Sequence, residues 1–152
     1  MEIIWFCLGI INSLYLIFIF IFRKIRDIDF IRHYGIYYFF LALPALAVLL
    51  LCILQNKSVQ YIIFSCIFFV YLLLEYLFDF SLGVDLRNDR RLIVPYLALY
   101  YVMNYGFIVM TWQYRAAFGA VILLLAALQI AANVWSHPRE GAGKYKPRSR
   151  IR

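Results

Sequence analysis

Glu75 and Asp79 are the residues of this sequence best placed to do chemistry, because they are carboxylates within a run that is otherwise apolar. They lie four positions apart, hence on one face of a helix. Like charges at that spacing repel, and scarce water disfavours ionising either group, so the pair is expected to share one proton. A carboxyl that exchanges a proton can relay it, balance a cationic ligand or act as a general acid. Counted back from Phe80, Glu75 is five residues inside its segment, about 7.5 Å at the helical rise per residue. The competing account is structural: Asp79 is near enough to water to need no role, and Glu75 can pair with Arg87, Arg90 or Arg91 just beyond.

Other polar residues sit at similar depth. Tyr96, Tyr100 and Asn104 repeat at spacing four, as do Gln129 and Asn133, while His33 and Tyr37 border the second apolar run. If these faces converge, Glu75, Asp79, Tyr37, Tyr96, Tyr100, Asn104, Gln129 and Asn133 line an inward-opening pocket with aromatic walls, the expected form of a small-molecule site. Asn, Gln and Tyr also hydrogen-bond between membrane helices as packing contacts, the better account of Gln129 and Asn133 taken alone. Arg87, Arg90 and Arg91 lie in a stretch of mixed sign and offer planar forks of donors suited to a phosphate or lipid headgroup. Such a stretch is equally stable as a solvated turn with its charges paired internally.

Several chemistries find no footing. Cys7, Cys52 and Cys66 form no C-x-x-C, although Cys52 and Cys66 flank one short connection. Two histidines, His33 and His137, do not make a metal site, so neither metal nor cofactor is expected. No phosphate-binding loop, dinucleotide fingerprint or nucleophile elbow occurs. The residues neither name a catalysed reaction nor exclude one.

The elements that must position these groups follow from composition. Of 152 residues, 66% are apolar or aromatic and 15% charged, against roughly 45–50% and 25% in ordinary globular chains. A soluble domain of this size hides only about 70% of the surface its unfolded chain exposes, so the solvent is expected to be lipid. Five runs approach the ~20 residues that a helix needs to cross hydrocarbon: 3–22, 34–54, 60–80, 92–111 and 116–135. They are continuous rather than alternating, which rules against a β-barrel. The expected fold is an all-α bundle of five transmembrane helices followed by a basic tail, 136–152. Connections of four or five residues after the second and fourth runs make those pairs antiparallel neighbours. Pro44, near the middle of the second run, is expected to kink it, whereas Pro95 falls in the first turn of the fourth and needs no role.

Basic residues set the orientation. Thirteen of the fifteen lie in the 23–33 and 81–91 connections and the tail, leaving Lys57 and Arg115 on the other side. The positive-inside rule then places the N-terminus outside and the C-terminus in the cytoplasm of a cell-membrane protein. The first run has no basic residue before it and no small-residue cleavage site, so it reads as an uncleaved anchor. Trp5, Tyr61 and Trp112 would mark the outer interface and Tyr34, Tyr37 and Trp135 the inner one. Anionic lipid headgroups are the expected partner of the tail, and nucleic acid is not, because a tethered tail meets lipid first. In the fifth run Ala116, Ala120, Ala127 and Ala131 form one small-residue stripe, and Gly119, Ala126 and Asn133 another. Two stripes suggest packing on two sides, including another subunit. Two functions therefore compete: binding or transport of a small apolar or lipid-like molecule in the pocket, and a non-catalytic role as subunit or assembly partner of a larger membrane complex.

Overall fold

The computed structural model describes residues 1–25, 35–77 and 90–136. Among these, every regular element is helical: α1 (Glu2–Ile25), a 3-10 segment (Ile36–Leu41) running directly into α2 (Ala42–Leu54), α3 (Val59–Tyr76), α4 (Arg90–Tyr114) and α5 (Ala116–Ser136). Five of the resulting rods are long and apolar enough to cross a membrane. Pro44 falls where the winding of the second run changes, just after the 3-10 segment. It is the third residue of α2, where a missing N–H is tolerated. Since Pro44 cannot bond to the carbonyl four residues back, the chain before it winds as the tighter 3-10 form. Helix α4 begins two residues earlier than expected, so Pro95 lies in its second turn rather than its first.

The two short connections are tight. After α2, Asn56 takes a left-handed conformation (φ 47°). The Asn56 N–H then donates to the Ile53 carbonyl and the Lys57 N–H to the Cys52 carbonyl, satisfying the carbonyls that the helix end leaves open. Arg115 alone separates α4 from α5. Gly119 makes that hairpin feasible, since a Cβ there would stand 2.7 Å from the Trp112 Cα. Along the chain each helix packs on the next, α5 closes against α1, and α1 also touches α4.

The core is aromatic. The Trp5 ring stacks on Phe107 at 4.7 Å and meets Tyr61 edge-on at 6.5 Å. Phe107 in turn meets Phe68 at 5.3 Å. This layer joins α1, α3 and α4, and it corrects the interfacial placing of Trp5 and Tyr61, both of which are buried. Trp112, Tyr37 and Trp135 are exposed. Cys52 is buried and Cys66 exposed, so the two are not partners; the Cys52 thiol lies 3.3 Å from the Met1 sulfur. In each candidate span only 22–39% of the most apolar stretch is buried. The outward faces carry large apolar side chains such as Leu43, Leu73, Val94, Leu124 and Val134. The interior instead holds Asn12, Ser13, Ser65, Asn104, Thr111 and Gln129.

Candidate functional site

Glu75 stands in the last turn of α3, and its carboxylate Oε1 accepts hydrogen bonds from two tyrosines. Tyr71 is one turn earlier on the same helix and donates at 2.6 Å. Tyr96 comes from α4, six residues in from Arg90, about 9 Å along the axis at 1.5 Å per residue. The two phenol oxygens are 3.2 Å apart. Hydrogen bonds to an acid of either protonation state are strengthened where water is excluded. The geometry thus fastens α3 to α4 through one oxygen atom.

Two further tyrosines extend the cluster. Tyr100, one turn along α4, is buried with its ring 6.2 Å from that of Tyr71. Tyr38, from the 3-10 segment, is buried and donates to Asn12 Oδ1 of α1 at 2.6 Å. Its ring stacks on Tyr15 at 5.1 Å. Four elements therefore contribute polar atoms to one centre. Tyr71 and Tyr100 are buried, whereas Glu75 and Tyr96 are partly exposed.

The residues singled out in the sequence divide as follows. Glu75, Tyr96 and Tyr100 come together. Asn104 is buried one turn outward, its amide nitrogen donating to the Tyr100 carbonyl at 3.0 Å. Tyr37 does not join them: it is 52% exposed and stacks on Phe40, while its neighbour Tyr38 turns inward. Gln129 is fully buried in α5, on the face that also buries Gly119, Ile122 and Ala126. Asn133 lies one turn further and its carbonyl accepts from Ser136. Arg90 and Arg91 form the first turn of α4. His33, Asp79, Arg87 and the tail from 137 onward lie outside the described residues.

Sequence reasoning passed over Tyr71, Tyr38 and Asn12. Tyr71 carried a usable signal, since it precedes Glu75 by four and must share its face. Asn12, a polar residue in mid-run, carried another. Nothing in the sequence distinguishes Tyr38 from Tyr37, because that choice depends on the phase of the 3-10 turn.

The two ends of the bundle are also tied. At one end Lys24 donates to the Trp135 carbonyl at 2.7 Å and lies 4.0 Å over the Trp135 ring, a cation at the end of α5 where the helix dipole favours one. At the other end Lys57 donates to Glu2 at 2.9 Å, and that carboxylate holds the ammonium above its ordinary 10.5. Among the described residues no group of three or more His, Cys, Asp or Glu could hold a metal ion.

No protein-family model matches this chain, and it matches no curated protein and no solved structure. What it does must therefore be argued from the centre itself.

Proposed function

We propose that this is a five-span protein of the cell membrane, its N-terminus outside and its C-terminus cytoplasmic, that binds a small apolar or lipid-like molecule beside Glu75. The observation that carries the reading is the Glu75 carboxylate, held by hydroxyls from two helices in the inner half of the bundle and left partly exposed. A carboxyl at such depth is expensive to insert, by roughly 2.5–3.5 kcal/mol at the centre of a span, and is seldom kept without use. The tyrosine rings beside it supply flat apolar walls, and the carboxyl supplies the single strong polar contact that fixes a ligand's head. The basic inner connections, with Arg87, Arg90 and Arg91, and the tail would hold anionic headgroups at the same surface.

A diazirine-bearing long-chain alcohol, photolysed with the purified protein in lipid nanodiscs, tests this. Crosslinks are expected on the inner halves of α3 and α4, competed by excess unlabelled alcohol and lost in Glu75→Leu. Labelling spread evenly around the apolar belt, and unchanged in the variant, would overturn the binding role.

One observation favours the second role, as an assembly subunit. Ala116, Ala120, Ala127 and Ala131 of α5 are all exposed, while the other stripe faces the bundle interior at Gly119 and Ala126. A helix face that small approaches another helix closely. Disulfide crosslinking of an Ala127→Cys variant in native membranes separates the readings, since a pure ligand-binding monomer gives no crosslinked species.

A further inference from the structure

Three helices meet in one layer at Gly9. A Cβ on that glycine would lie 2.9 Å from Phe107 of α4 and 3.1 Å from Ile122 of α5. The order of contacts between α1 and α5 runs in parallel, from the Phe6–Phe118 stack through Gly9 and Ile122 to Lys24 and Trp135. Helix α4 runs the other way. The same faces can therefore be followed inward. Four residues on from Gly9 is Ser13, seven on from Ile122 is Gln129, and three and seven back from Phe107 are Asn104 and Tyr100. These are one to two turns inward, about 5–10 Å along the axes.

Every one of those side chains is more than nine-tenths buried. Each also has a polar atom without a hydrogen-bond partner: Ser13 Oγ, Asn104 Oδ1, Tyr100 OH, and both amide atoms of Gln129. Burying an amide with neither atom bonded is strongly unfavourable, and native interiors meet that demand with ordered water where no protein group does. The chemistry of the set identifies the occupant. It mixes donors with acceptors and carries no charge, which suits a molecule that both gives and accepts hydrogen bonds, and suits neither a cation nor an anion.

We propose that the junction of α1, α4 and α5 is a buried hydration site, with water bound between Ser13, Asn104, Tyr100 and Gln129. On α1 the residue beside Ser13 is Asn12, whose Oδ1 accepts from Tyr38. The water thus borders the inner tyrosine cluster and extends its polar tract toward mid-membrane. The site stands on its own contacts and does not depend on what Glu75 binds.

Millisecond X-ray hydroxyl-radical footprinting of the protein in nanodiscs tests it, because radiolysis of bound water oxidises side chains that bulk solvent never reaches. Met103 neighbours Asn104, and Met110 is equally buried two turns outward. Met103 is expected to oxidise several-fold faster than Met110 in the wild type. Gln129→Leu should abolish that difference and lower the Tm, since its former partners lose their bridging water. Should Gln129→Leu fail to fold, Ser13→Ala is expected to reduce Met103 labelling in the same direction. Equal, slow oxidation of the two methionines in the wild type would overturn the proposal. So would a Gln129→Leu protein with a raised Tm, the result expected when an unpaired amide in a dry core is replaced by a hydrocarbon.

Discussion

At the residue scale, the acid and its tyrosines can be separated by substitution. Tyr96→Phe removes one of the two hydroxyls on Glu75 and breaks the bond joining α3 to α4; it should cost about 0.5–1.5 kcal/mol, the net worth of one such bond. Tyr71→Phe removes a bond within one turn of α3 together with the contact to the Tyr96 hydroxyl, and should cost a similar amount. Glu75→Gln keeps an oxygen that accepts both phenols, so its Tm in detergent should stay within a few degrees of wild type while alcohol crosslinking falls. A loss of ~3–5 kcal/mol in that variant, relieved when Arg87, Arg90 and Arg91 are also replaced, would instead show a buried ion pair. Lys57 offers a pH test at the outer end. Its ammonium is held above 10.5 by Glu2, so the pair's contribution is fully present below pH 10.5 and lost as pH rises through the higher folded value. The small Tm gap between wild type and Lys57→Met at pH 8 should therefore close as the pH is raised beyond 10.5.

At the element scale, the α4–α5 hairpin rests on one glycine and one intervening residue. Gly119→Ala improves local helix propensity by about 1 kcal/mol. It also sets a methyl 2.7 Å from the Trp112 backbone, and overpacking against atoms that cannot turn aside costs roughly 1–3 kcal/mol. A lowered Tm is expected, and a larger drop for Gly119→Val. Pro44→Ala should behave differently. Because Pro44 occupies the first turn of α2, its replacement is expected to move the Tm little; a large change would mean that the 3-10 winding before it is needed to aim Tyr38 at Asn12.

At the scale of the whole molecule, the outward faces are apolar, and the interior joins an aromatic core to a few buried hydroxyls and amides. Exposed leucines, valines and isoleucines clothe all five helices, and the buried polar side chains run from Thr111 near one end of the bundle to Gln129 and Ser136 toward the other. That distribution suits a hydrocarbon surround, where a polar group must find its partner inside the protein. The proposed orientation is checked by cysteine replacements at Lys57 and Ser149 in intact cells. An impermeant maleimide should label position 57 and leave position 149 untouched; the reverse pattern would invert the topology.

The sequence by itself determined the number of long apolar segments, their approximate limits and the tightness of the two short connections, because backbone satisfaction in lipid leaves an apolar run of that length little choice but to be helical. It also singled out Glu75, since a carboxylate within such a run is conspicuous against any composition. Tertiary structure alone decided which partners that acid meets. Helix rotation is set by how whole faces interlock, so Tyr37 and Tyr38 are equivalent in sequence yet one faces outward and the other reaches Asn12. Trp5 and Tyr61 read as interface markers until the packing of α1 on α3 and α4 drew both rings into the core. The polar layer around Gln129 had the same origin: a glutamine four residues from an asparagine looks like ordinary packing in a single helix. The proposed junction of Ser13, Asn104, Tyr100 and Gln129 follows from the close approach of α1, α4 and α5 at Gly9, which no single helix reveals.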